Sequence, residues 1–143
     1  MSGWTDGEEQ DILEYWFSGT ALPNTPTHIG LFTVNPADDG TGSTEVTGGS
    51  YAREAWAKNG TNWGSSAGGA PSTIESLLDL EFTEATADWG TITGWGYFTA
   101  SSAGTLLFFG ALDTSKDIDN GDTAKFTAGN LVAKLGDPGD TYT

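Results

Sequence analysis

The amino-acid sequence predicts a mainly β chain: an antiparallel β-sandwich or jelly-roll-like domain of about eight strands, with one short N-terminal helix packed on it. Two features point there. Glycine occurs 21 times in 143 residues and only 17% of the chain is charged, a composition suited to short strands joined by turns. The second feature is residues 89–112, which read as two strands and the hairpin between them. Large and β-branched residues alternate with glycine across 89–98, as on a pleated surface. Strict alternation would put Trp89, Thr91, Thr93, Trp95 and Tyr97 on one face, and Gly90, Ile92, Gly94, Gly96 and Phe98 on the other. The glycine-rich face suits close approach of another backbone. Residues 100–104 (ASSAG) supply the turn. Residues 105–112 are almost wholly apolar, as in a strand buried on both faces.

A helix is expected over residues 5–18. Thr5 and Glu8 have capping-box spacing, Asp6, Glu8 and Glu9 sit where the helix dipole favours anions, and Gly19 is a stop. Ile12, Leu13, Trp16 and Phe17 recur at helical spacing, and this apolar face is expected to pack on the sheet. Pro23 and Pro26 mark a loop. Residues 28–34 (HIGLFTV) follow as a strand, with Ile29 and Leu31 on one side and His28, Phe32 and Val34 on the other. Residues 35–42 (NPADDGTG) form a turn carrying the adjacent acids Asp38 and Asp39, and 45–52 return through a Gly-Gly bend to Arg53. Arg53 is one of five cations among twenty acids, so it is expected to pair with a carboxylate.

Residues 57–73 read as a flexible Gly/Ser-rich loop with Trp63 in its middle. That ring could meet a partner or fold back onto the domain. Residues 74–82 alternate as a strand, and 113–122 read as an acidic connection ending in an Asn-Gly turn. The last strands are expected at 123–126 and 131–135, and 136–143 as a polar C-terminal arm. The whole of 1–143 is expected to be one domain.

Composition excludes several functions. A net charge of −15 argues against binding nucleic acid through its phosphates. No apolar run reaches membrane-spanning length and the first ten residues are acidic, so neither a membrane span nor a signal peptide is expected. The absence of cysteine excludes disulfides and thiolate metal or redox sites. His28 is the only histidine and reads as structural. The acids of 117–122 could attract calcium, but they miss the EF-hand pattern, and an Asn-Gly turn accounts for them. Paired carboxylates for glycoside hydrolysis carry little weight where twenty acids make pairs unavoidable. No phosphate-binding or dinucleotide motif is present, so no enzyme, cofactor or metal is expected. Trp56, Trp63, Trp89 and Trp95 would be the rings of a carbohydrate-binding module, a rival reading of another class.

Several motifs occur in a defined order behind the apolar helix. They are Leu31-Phe32-Thr33 with Pro36, Asp38 and Gly40-Thr41-Gly42; then Gly48-Gly49-Ser50-Tyr51-Ala52-Arg53; then Ala87-Asp88-Trp89-Gly90-Thr91-Ile92-Thr93. Gly104-Thr105-Leu106-Leu107-Phe108-Phe109-Gly110 and Asn120-Gly121-Asp122-Thr123 follow, ahead of Phe126, Gly129 and Leu131. Together, over about residues 8–135, they resemble a family of small virion proteins of tailed bacteriophages, labelled tail-fibre or head-associated. Residues 57–73 depart from it in being longer and richer in Trp and Gly.

The resemblance implies a non-catalytic structural role in the virion. The expectation is a capsid decoration (cement) protein, a trimer bound to the major capsid protein on the capsid exterior. The alternative is a tail or tail-fibre component bound to a tail protein. With no coiled-coil heptads and no fibrous repeat, the chain could not form a fibre shaft alone. Expected partner-contact residues are Arg53, Trp63, Asp38 and Asp39.

Overall fold

A computed structural model describes residues 3–69 and 71–135; the expected C-terminal arm at 136–143 lies outside them. In chain order the elements are β1 (Gly3–Trp4), α1 (Asp6–Ser18), β2 (His28–Val34), β3 (Thr44–Glu45), β4 (Glu54–Ala55), β5 (Ser72–Glu75), β6 (Leu80–Glu81), β7 (Gly90–Phe98), β8 (Leu106–Ile118), β9 (Lys125–Phe126) and β10 (Val132–Leu135). The main sheet runs β1-β8-β7-β2-β3, with β4 also paired to β2, and every pairing is antiparallel. Two antiparallel ribbons, β5 with β10 and β6 with β9, complete the strands. The predicted class, mainly β and antiparallel with one N-terminal helix, is the class observed.

The apolar pattern explains the layers. Ile29, Leu31, Trp95, Tyr97 and Phe108 form one face of the sheet, and Trp56, Trp63, Leu80, Phe82, Ala124 and Leu131 from loops and ribbons pack into the same core. Phe32, Phe98 and Phe109 cluster separately with Leu106. β2 alternates between the two clusters as its sequence predicts. β7 does not alternate throughout. Ile92 is opposite Lys116 but Gly94 is opposite Ala111, so residues 112–115 of β8 face Thr93 alone. That bulge resets the alternation, and Ile92 joins Trp95 and Tyr97 instead of Phe98.

Three other elements depart from expectation. β8 does not stop at residue 112 but runs to Ile118, because Lys116, Asp117 and Ile118 pair with the start of β7. The strand expected over 74–82 breaks into β5 and β6, leaving Leu77 and Leu78 exposed in the bend between them. The helix is present, and Gly19 ends it at φ 72° with its N–H on the Glu14 carbonyl. Its capping box is not. Thr5 occupies the N-cap position, but its hydroxyl donates to the Leu106 carbonyl at 3.3 Å, because β1 pairs with β8 immediately before it.

The apolar face of α1 does not lie on the sheet, contrary to expectation. Leu13, Trp16 and Phe17 are 58%, 75% and 84% exposed. The acidic side faces the chain instead: Asn24 Nδ2 donates to Glu8 Oε2 at 3.3 Å and to Asp11 Oδ2 at 3.4 Å. Glu8 is only 6% exposed. Its burial pushes the carboxyl above the ordinary glutamate range, and Asp11 adds to that shift, against the lowering effect of the Asn24 bond. The folded state therefore holds the proton more tightly than the unfolded state. Stability falls as pH rises through the unfolded pKa towards the raised folded one, and the cost is fully present at neutral pH. Glu8→Gln keeps an acceptor for Asn24 and removes the buried charge. Its melting temperature at pH 7 should exceed that of the parent chain, and the gain should shrink as pH is lowered through the carboxylate range.

Candidate functional site

The densest polar arrangement is built by the Gly48–Arg53 segment. Gly48 and Gly49 both adopt positive φ, and Ser50 follows at φ 63°. Gly49 has no room for a side chain: a Cβ there would lie 2.9 Å from the Ala87 carbonyl oxygen and 2.9 Å from Trp89 Nε1. The Gly49 carbonyl accepts from Trp89 Nε1 at 2.8 Å and from the Thr86 N–H at 3.0 Å. This sharp bend delivers Tyr51 and Arg53 to the sheet. The Tyr51 ring meets Trp89 edge-on at 5.3 Å and stacks on Phe82 at 6.2 Å.

The Tyr51 hydroxyl fills a gap in the main sheet. β4 pairs with β2 at His28 and Ile29, while β3 pairs from Phe32 onward. The Leu31 N–H between them donates to Tyr51 Oη at 2.8 Å, and the hydroxyl donates to Glu45 Oε1 at 2.8 Å. Burial pushes the phenol far above its ordinary pKa, so it is neutral at any physiological pH. Arg53 completes the group. It grips Glu45 with two bonds of 2.8 and 2.7 Å and donates from Nη1 to the Ala100 and Ala103 carbonyls at 2.9 and 2.8 Å. Its guanidinium also lies 3.5 Å from the Phe98 ring centroid. Arg53 thus ties the β7–β8 turn to β3. These groups hold the fold together; they form no nucleophile, base or electrophile arranged around open space.

The structure separates the four expected contact residues. Arg53 is turned inward, with a side chain 8% exposed. Trp63 folds back onto the domain: its ring is buried against Trp56 and Tyr97, and Nε1 donates to Tyr97 Oη at 3.4 Å. Its loop is pinned by Asn59, whose side-chain oxygen accepts from the Thr61 and Asn62 N–H groups, and by bridges from Trp63 to Ser76 and Ala67 to Thr73. Asp38 and Asp39 are exposed. The Thr41 hydroxyl and N–H donate to Asp39 Oδ1 and hold that carboxyl below its ordinary range, while the Asp38 carbonyl receives the Asp6 N–H at the helix start. Of the expected contact residues, the two acids alone face solvent, beside the N-terminus of α1.

The rival chemistries gain no geometry. Trp56, Trp63, Trp89 and Trp95 are all buried, so none offers a free ring face to a sugar. His28 Nδ1 lies 2.8 Å from the Thr27 hydroxyl, which donates to the Thr99 carbonyl. In the 117–122 turn, Asp122 accepts from the Asp119 N–H and Asp117 from the Thr91 hydroxyl. A cleft of about 370 Å³ lies between the main sheet and β9, lined by Leu31, Ile92, Leu112, Lys116 and Phe126. Lys125 on its rim is tied to Asp79 at 2.7 Å.

The chain matches the family model described as the podophage GP4 fiber I protein gp80 over residues 3–134. It belongs to this family. No curated protein matches the chain. The expected class, a bacteriophage virion structural protein, is the class of this fibre family. The two sequence motifs that most resembled phage virion proteins, Gly48–Arg53 and Ala87–Thr93, meet in space through Gly49, Tyr51 and Trp89. They encode a core junction of the domain, not a ligand site. The exposed surface that sequence reasoning missed is the apolar end of α1. Its spacing signalled a helix with one apolar face, and only the side to which that face turns was unforeseen.

Proposed function

We propose that this protein is a non-catalytic component of a podophage tail fibre, located on the tail and not on the capsid exterior as a cement protein. The observation that carries this reading is the family match over residues 3–134, whose description is a fibre protein. Two features of the chain agree with it. Its conspicuous polar groups are committed to holding the fold, as Arg53, Glu45 and Tyr51 illustrate. Lacking heptads and repeats, it suits a globular module joined to other fibre parts, not a shaft. Quantitative mass spectrometry of complete virions and of tail-less heads from the same phage tests this. The fibre reading requires the chain in complete virions and its loss from tail-less heads; retention on those heads would restore the cement reading.

A further inference from the structure

The helix α1 is amphipathic but inside out. Glu8 and Asp11, on one side, are bonded to Asn24 of the chain's own loop. Leu13, Trp16 and Phe17, spaced i, i+3 and i+4, lie on the opposite side and point to solvent. Tyr15 flanks them, 47% exposed, with its ring edge-on to Trp16 at 5.6 Å. Aromatic side chains offer about 150–250 Å² each, so the exposed fractions of Tyr15, Trp16 and Phe17 leave roughly 400 Å² of ring surface open. A patch of that size equals the largest that a typical monomer exposes, and such patches are often functional. It is also about half of the roughly 800 Å² per partner in a standard interface, before Leu13 and the surrounding rim are added.

We propose that this face is a self-assembly surface, covered by the same face of another copy of the chain. The chemistry of the patch selects that occupant. Its centre carries no charge, and the acids of the last two turns, Asp11 and Glu14, lie on the other sides of the helix. It therefore calls for an uncharged aromatic counterpart, which a second copy presents in matching form across a symmetry axis. Edge-to-face packing of Trp16 and Phe17 with their equivalents meets the preference of aromatic pairs. The inference goes beyond the fibre reading and does not depend on it.

Charge makes the proposal distinctive. Each copy carries −15, and Asp6 and Glu9 lie on the apolar side, further towards the helix start. Copies repel one another at long range, so salt strengthens a self-association driven by these rings. A basic partner seated on the same face would instead be released by salt.

Sedimentation of the purified full chain, from micromolar to submillimolar concentration and at low and high salt, tests this. The expected result is a reversible dimer or trimer whose association tightens with salt. The double variant Trp16→Gln/Phe17→Gln should weaken it at least about 30-fold, the size of one hot-spot residue. Both side chains are exposed, so at concentrations where both chains are monomeric its thermal melt should match the parent. Val34→Gln, an exposed apolar position outside the helix, should leave association unchanged. A chain that stays monomeric throughout would overturn the proposal. So would association that the double variant leaves intact, or association that weakens with salt.

Discussion

Gly94→Ala should destabilise the chain by about 3 kcal/mol, the upper end of the cost of overpacking a core. A Cβ at Gly94 would collide with the Asn35 side-chain amide and lie 2.7 Å from the Gly110 carbonyl oxygen. Neither neighbour can yield cheaply. Asn35 donates to the Thr93 carbonyl at 3.2 Å and accepts from the Thr93 hydroxyl at 3.1 Å, so moving it breaks both bonds. Gly110 belongs to β8 and is paired with Trp95 in the middle of the sheet. In a chain of this size the loss corresponds to a fall of roughly 10 °C in melting temperature. Gly7→Ala is the contrasting substitution. A Cβ there meets nothing within 4 Å, and alanine is the better helix former by about 1 kcal/mol. Thermal denaturation of the two variants should therefore shift in opposite directions.

Arg53→Met should cost about 3–5 kcal/mol, the range for removing one partner of a buried ion pair. The loss is compound. Glu45 would keep only the Tyr51 hydroxyl, and the Ala100 and Ala103 carbonyls would lose their donor in the β7–β8 turn. Ala103 adopts φ 52° in that turn, a left-handed conformation that a non-glycine residue holds only when the surroundings enforce it. Arg53→Lys should recover little, since an ammonium cannot span Glu45 and two carbonyls at once or lie flat on the Phe98 ring. Denaturant unfolding of Arg53→Met, Glu45→Gln and the double variant would measure the coupling. The double variant should lose clearly less than the sum of the two single losses.

Much of this fold was legible because local pattern and tertiary environment agree. Residues 28–34 send Ile29 and Leu31 to one apolar cluster and Phe32 to the other, as their alternation in sequence predicts, and β2 has those bounds. The apolar run of 105–112 fills both sides of the sheet, through Phe108 on one and Phe109 on the other. What could not be read was set by distant partners. The switch of Ile92 to the Trp95 face depends on four residues of β8 bulging opposite Thr93, and nothing within 89–98 announces that. The polar run 113–117 looked like a connection because its side chains are solvated, yet its end, Lys116 and Asp117, is paired to β7.

The same distinction governs the candidate surfaces. Trp63 looked like a loop residue by composition, and its burial follows from the Asn59 turn and the bridge to Ser76. Arg53 was legible as an ion-pair former but not as the clamp of a turn about fifty residues away along the chain. Spacing defined the apolar face of α1 correctly, and its outward orientation was decided by Thr5 on β8 and by Asn24 on Glu8. A sequence motif can therefore mark a core junction, as Tyr51 and Trp89 do, while the exposed surface lies in a helix that reads as ordinary packing.

Electron microscopy of intact virions labelled with an antibody against this chain tests the fibre assignment most directly. Gold at the tail, on the fibres, is the predicted result. Label spread over the heads with bare tails would contradict it.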